Sequence, residues 1–183
     1  MVELALHILD IAENAVRANA KTVFIDVTED RKDDRLSIEI RDDGTGMDGR
    51  TLQKAMDPFF TSKKVRRVGL GLPMLAEAAQ RTGGSFVLES QEGAGTRVTA
   101  TFSLRHIDRQ PLGDLTGVLL TLIAGNPGVD FVYRHVCGEG TFSLDTRDVR
   151  GEIDDIPIDH PEVLKFIRQH IMEGLHHIET EAK

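Results

Sequence analysis

A single cysteine, Cys137, excludes any disulfide within the 183 residues. His135 lies two positions earlier, but two ligands do not close a structural zinc site, so Cys137 reads as a packed side chain. Long apolar runs are missing too: none approaches the ~20 residues that cross a bilayer. No basic, then apolar, then small-residue leader opens the chain. Together these absences predict a cytoplasmic protein without its own membrane anchor. Positive charge is also in short supply, with 22 Lys+Arg against 30 Asp+Glu and a net charge of −8. The deficit is uneven: residues 1–105 carry 15 basic and 16 acidic side chains, and residues 106–183 carry 7 and 14. A general nucleic-acid binder is excluded, because phosphate backbones require a basic footprint. The acidic second part reads first as a solubilising face and second as a docking surface for a basic partner. There is no internal repeat and no low-complexity segment.

What is present is ordinary for a globular protein: 40% hydrophobic and 28% charged residues, enough for one core with a smaller appendage. Leu4, Ile8, Ile11, Ala12 and Ala15 recur at helical spacing and predict a helix over 3–18. Its other side carries Glu3, His7, Asp10, Asn14 and Arg17 as one polar stripe. Alternation predicts strands at 23–28 and 36–40, joined by the turn 31–34 into a hairpin. A short helix follows near 49–56, and a functional loop of irregular pattern spans 57–71. Pro73 suits the first turn of the next helix, and Gly83-Gly84 stops it. Two strands then flank Gly93-Ala94-Gly95. Composition changes at 105–111. Beyond lie a helix from Leu112 to Ile123, a hairpin across Gly138-Glu139-Gly140, and a final helix opened by Pro161.

Four segments carry chemistry. Asp10, Asn14 and Arg17 fall one helical turn apart. An Asn amide oxygen is a neutral Mg²⁺ ligand. A carboxylate beside it can position a water or an incoming hydroxyl or imidazole, and an arginine can meet phosphate charge. Asp42 closes a strand just before Gly44-Thr45-Gly46, where a carboxylate can accept from an adenine amino group. The glycines there admit backbone close to the base. Phe59 and Phe60 precede the basic cluster Lys63, Lys64, Arg66 and Arg67. Gly69-Leu70-Gly71 precedes a helix start, where backbone N–H groups can face an anion. Each feature alone has a plainer reading: a solvated helix face, an ordinary turn, a charged loop, core packing.

In this order the four segments resemble the GHKL superfamily of ATPases and kinases (the Bergerat fold), which includes histidine kinases, gyrase-type topoisomerases and DNA-mismatch-repair ATPases. The likeness covers about residues 3–104. Residues 10–17 look like the family's N box, 42–47 its first glycine box, 57–63 the F box of histidine kinases, and 68–72 the second glycine box. Gly95-Thr96 fits the last box. The resemblance implies an α+β fold, a two-layer α/β sandwich with helices over one face of a mixed sheet, plus a small C-terminal α/β extension. It divides the chain into an ATP-binding domain at 1–105 and an extension at 106–183, a partner-docking candidate. It implies ATP and Mg²⁺ as cofactors, with Asn14 as the metal ligand. Asp42 would bind the adenine amino group, with Gly44, Gly46 and Met47 in the surrounding box and Thr96 in the water-linked network. Phe60, Lys63, Gly69, Leu70, Gly71 and Leu72 would serve lid and phosphate contacts, and Arg17 the phosphates. Asp43 stands where the family commonly has Asn, a change expected to matter little.

The boxes point to more than one subfamily. Phe59-Phe60-Thr61-Ser62-Lys63 looks like sensor histidine kinases, whereas Asp10, four residues before Asn14, matches the place of the catalytic Glu in hydrolysing members. The phosphoacceptor hairpin of sensor kinases is unmatched, and none of the seven histidines is followed by an acidic residue. His7 reads as a structural neighbour of the pocket rather than an acceptor. The leading reading is a stand-alone catalytic module in bacterial-type signal transduction. It phosphorylates a separate protein with Asp10 as the catalytic carboxylate. The alternatives are an ATPase switch and a non-enzymatic nucleotide-dependent binder. A separate protein, as phosphoacceptor or regulator, is the expected partner, with no nucleic acid and no membrane. A homodimer is among the assemblies left open.

Overall fold

Burial of one stripe fixes the first helix. In this computed structural model, which describes residues 3–57 and 71–181, α1 (Leu4–Arg17) buries Leu4, Ala5, Ile8, Ile11, Ala12 and Ala15. Its N-cap residue, Glu3, makes no side-chain capping bond. Instead the first-turn N–H groups of Leu4 and Ala5 donate to the carbonyls of Pro111 and Leu112 at 2.9 and 2.8 Å. Backbone from the segment joining the two parts of the chain thus satisfies donors that a helix start leaves unpaired.

β1 (Thr22–Asp30) and β2 (Arg35–Asp42) pair antiparallel, from Val23 opposite Asp42 to Asp30 opposite Arg35. The Asp30 carboxylate closes the turn by accepting from the N–H groups of Lys32 and Asp33 at 2.9 and 3.0 Å. α2 (Gly49–Lys54) is capped by Asp48, which accepts from Thr51 N–H. α3 (Gly71–Arg81) holds Pro73 in its first turn and buries Leu75, Ala76, Ala78 and Ala79. β3 (Phe86–Gln91) and β4 (Gly95–Ser103) complete the first run of strands.

α4 (Leu115–Gly125), capped by Asp114, leads into β5 (Asp130–Cys137), which lies parallel to β1 with Phe131 opposite Val23. β6 (Gly140–Asp145) adds antiparallel to β5. α5 (Thr146–Glu152), which periodicity did not reveal, and α6 (Pro161–Glu181) close the described chain. The result is one mixed six-stranded sheet in the order β3-β4-β2-β1-β5-β6. Alternate strand residues, among them Val23, Ile25, Leu36, Ile38, Val98 and Phe131, are buried under the helices. Their neighbours Phe24, Asp26 and Thr28 are half-exposed, so the helices cover one face. Apolar residues of 115–178 join the same cluster as those of 4–102. No described helix is long and apolar enough to cross a membrane.

Two histidines are buried against the pattern. His7 belongs to the polar stripe by spacing, yet it is 1% exposed, with Nε2 3.2 Å from Gln110 Oε1. The joining segment covers that end of the stripe, and burial pulls the His7 pKa below its ordinary value. His135 is buried on β5: its Nε2 donates to the Glu29 carboxylate at 3.0 Å, and its Nδ1 lies 2.9 Å from the Tyr133 hydroxyl. Cys137 packs in the core, and no metal-binding group of three or more His, Cys, Asp or Glu exists among the described residues.

Phe131, 1% exposed beside Val23, ties the extension to the first strand. Phe131→Ala is expected to cost about 3–5 kcal/mol and to lower a single urea transition. Two transitions, with the one reporting on residues 3–104 unmoved, would contradict the shared core. The hydrogen bond from His135 holds Glu29 below its ordinary pKa of 4.5. Its stabilisation is therefore present above that value and lost as pH falls through the lower folded value. Glu29→Gln should be about 1–2 kcal/mol less stable than wild type at pH 7. The gap should close below pH 4.5 in denaturant titrations run across pH.

Candidate nucleotide site

Four stretches distant in sequence meet over one end of the sheet. The second half of α1 supplies Asp10, Asn14 and Arg17, the end of β2 supplies Asp42, and the turn after it supplies Thr45, Gly46 and Met47. Gly71 and Leu72 at the start of α3 and Thr96 on β4 close the ring around a cleft of about 380 Å³. Ile11, Ala15, Ile40 and Val98 make its apolar floor. An apolar floor with a few convergent polar groups is the usual form of a small-molecule site.

Each polar group has an identifiable holder. Asp42 is half-buried, and burial raises its carboxyl pKa, opposed by backbone N–H donation from Gly44 at 2.8 Å and from Thr96. Thr96 sits opposite Asp42 across β2 and β4. Arg17 bridges the Glu13 carboxylate and donates to Asn14 Oδ1 at 2.6 Å. The amide oxygen named as a metal ligand is therefore accepting from a guanidinium here, and Arg17 would have to release it to a cation. Asn14 fits Mg²⁺ by the chemistry of its donor set. One neutral protein oxygen, with no carboxylate cage around it, suits a hard ion held mainly by phosphate oxygens and water.

Close approach explains two of the glycines. Gly46 has φ +64°, and a Cβ on it would meet the Gln91 carbonyl oxygen at 2.0 Å. A Cβ on Gly71 would fall 1.8 Å from Asp10 Oδ2, so the start of α3 is seated directly on the Asp10 carboxylate. Gly44 does not line the cleft. It packs behind it against Ala18 and the Asp42 carboxylate. Asp43 also points elsewhere: its Oδ1 accepts from Lys21 and Thr22 N–H at 2.7 and 2.9 Å, pinning the start of β1 to the end of β2. Phe60, Lys63, Gly69 and Leu70 lie outside the described residues.

Sequence reading missed Ser90. Its hydroxyl lies 2.9 Å from Met47 N, from the Gly95 carbonyl and from Thr96 Oγ1, joining the turn after β2 to the β3–β4 pair. The available signal was its place at an inward position of an alternating strand whose other inward residues are Phe86 and Leu88.

Comparison with known proteins agrees with this arrangement. The family model described as histidine kinase-, DNA gyrase B-, and HSP90-like ATPase matches residues 2–106. The sensor histidine kinase WalK of Bacillus subtilis (strain 168) is 34% identical over 114 residues, 57% of this chain and 18% of that protein. The sensor kinase CckA of Brucella abortus (strain 2308) is 41% identical over 64 residues, 34% of this chain and 7% of that protein. The sensor histidine kinase ZraS of Escherichia coli (strain K12) is 28% identical over 106 residues, 58% and 23%. This chain thus spans under a quarter of each of these relatives. Among solved structures, the N-terminal domain of a DNA repair protein aligns with a TM-score of 0.55 at 16% identity, over 79% of this chain and 52% of that one. The Aquifex aeolicus MutL ATPase domain complexed with ADP aligns at 0.51 and 15% identity, over 74% and 60%. At those identities the structures speak to the fold, which is shared. With more than half of the chain matched by the family model, the chain belongs to the histidine kinase-, DNA gyrase B- and HSP90-like ATPases.

Proposed function

We propose that the cleft binds ATP with Mg²⁺ and that the domain transfers the γ-phosphate to a side chain of a separate protein. The observation that carries this reading is the convergence of α1, the turn after β2, the start of α3 and β4 on one cleft with an apolar floor and acidic rim. The sensor histidine kinases among its relatives support the kinase form of the reading. Adenine would lie on Ile11, Ile40 and Val98 with its amino group toward Asp42 and Thr96. Asn14 would hold the metal from the α1 side. When bound, Mg²⁺ neutralises charge on the phosphate oxygens. Arg17, freed from Asn14, would remain beside the phosphates. Asp10 would accept the proton of the incoming nucleophile as it attacks. The acidic residues 106–183 would dock the partner, and the chain would act in the cytoplasm as a signalling component.

A second reading is ATP hydrolysis without a protein acceptor, in which Asp10 orients a water. It is favoured by the position of Asp10 on the cleft wall one turn before Asn14, against the helix start at Gly71. Transfer of label from γ-labelled ATP to a co-purifying protein supports the first reading. Phosphate release by the purified chain alone supports the second.

Asn14→Ala should keep the fold by circular dichroism yet weaken Mg²⁺-dependent ATP binding by at least the roughly 10–100-fold that even outer-shell partners of a metal contribute. Unchanged affinity in calorimetry would contradict the assignment. Asp10→Asn should retain nucleotide and lose about 10²–10⁴-fold in phosphoryl transfer or hydrolysis. Wild-type turnover in that variant would remove Asp10 from the chemistry.

A further inference from the structure

One buried side-chain polar atom among the described residues has no hydrogen-bond partner: Nδ1 of His7. The ring is 1% exposed, and its Nε2 lies 3.2 Å from Gln110 Oε1, an acceptor. Nε2 therefore carries the hydrogen, and Nδ1 keeps a bare lone pair. What closes over the ring is a strap, residues 110–114, laid along the first turns of α1. Gln110 meets His7, and the Pro111 and Leu112 carbonyls accept from Leu4 and Ala5 N–H at 2.9 and 2.8 Å. Asp114 N–H donates to the Glu3 carboxylate at 3.4 Å. Gly113, at φ +81°, sits so close to that carboxylate that a Cβ would fall 2.2 Å from Glu3 Oε2. Pro111, Gly113 and Asp114 are exposed, so the strap covers His7 as a single layer of chain. Further along the same stripe Asp10 meets the start of α3, and Asn14 lines the cleft.

We propose that His7 is an acid-sensitive latch. Neutral, it lets the strap close on the start of α1; protonated, it drives the strap off, uncaps the helix that carries Asp10 and Asn14, and so loosens the cleft. A proton on Nδ1 adds a charge and a donor where Gln110 already accepts at Nε2, and the ring gains water only if the strap lifts. Burial is the largest influence on the ring and holds its pKa below the ordinary value of 6.5. The bond to Gln110 and the charge of Asp10 favour the proton, and the positive chain terminus opposes it. Charged side chains on the strap, α3 and α4 are engaged elsewhere: Asp114 caps Gly117 N–H, Arg109 donates to the Leu104 and Gln110 carbonyls, and Glu77 and Arg81 are exposed. The open state takes up the proton more readily, so closure is at full strength above pH 6.5 and weakens as pH falls below it. The effect on the cleft rests on the nucleotide reading; the latch itself does not.

Amide hydrogen exchange on the full chain, corrected for the intrinsic rate at each pH, reads the latch directly. Below pH 6.5 the protection of Leu4 and Ala5 N–H should fall by up to about tenfold per pH unit, the slope of one proton. Leu122 and Ile123 in α4 and Ile171 in α6 should keep theirs. His7→Phe retains a ring without a proton site and should abolish the fall. Gln110→Glu sets a carboxylate against Nε2 and favours the protonated ring in the closed state. It should reverse the trend, with protection kept in acid and lost as pH rises, and it serves as the test should His7→Phe fail to fold. Constant wild-type protection of Leu4 and Ala5 from about pH 8 to 5, an equal fall in His7→Phe or Gln110→Glu, or a loss shared with α4 and α6 would overturn the latch. Calorimetry with ATP and Mg²⁺ over the same range should show wild type losing affinity relative to His7→Phe in step with protection. A constant relative affinity would overturn the link from strap to cleft. Binding by neither protein at any pH, with the fall in protection intact, would remove the nucleotide reading and leave the latch supported.

Discussion

The seating of α1 on the inner face of the sheet is the contact on which the rest depends. Leu4, Ile8, Ile11 and Ala15 bury against strands whose inward residues are Val23, Ile25, Ile38 and Ile40. A helix locked by one stripe has no freedom to rotate, so Asp10 and Asn14 are forced onto the cleft side. The helix carries no side-chain cap of its own. Its first N–H groups are satisfied by the Pro111 and Leu112 carbonyls. The segment that leads into the C-terminal part therefore also holds the helix that borders the site.

That arrangement gives residues 106–181 a structural meaning beyond their acidity. β5 runs parallel to β1 and extends the sheet on the side away from the cleft wall formed by β4. α4 and α6 continue the helical layer and share its core. A change in the extension has a short path to α1 through α4, which packs on it, and through the bonds at Pro111 and Leu112. The half-buried His135–Glu29 pair lies toward the far end of β1 from Val23, where the sheet's register reaches Glu29 and Cys137.

The cleft itself balances opposed demands. Burial raises the Asp42 pKa, and backbone N–H groups only partly oppose that shift. The glycine turn closes against β3 only because Gly46 has no side chain: any Cβ there would collide with the Gln91 carbonyl. Ser90 then ties that turn to β4. Arg17 and Asn14 are bonded to each other in this structure.

Much of this could be read from local pattern. Helical spacing and strand alternation depend on neighbours a few residues apart, so α1, the β1–β2 hairpin and α6 were legible, as was the order of the four segments that resemble the family. What the sequence could not carry was contact between distant segments. His7 has the spacing of a solvent-facing residue, but it is buried because Gln110 and its neighbours fold over it. Asp43 stands in the first glycine box beside Asp42, yet its carboxylate turns to the backbone of Lys21 and Thr22. Ser90 has no motif, and its importance appears only when β3 pairs with β4 and the turn after β2 closes on both. By itself the sequence determined most of the helices, strands and glycine turns, though not the short α5, because periodicity and backbone permissiveness are local properties. Only the tertiary structure decided which polar groups share a cleft, because that follows from packing across strands and helices far apart in the chain.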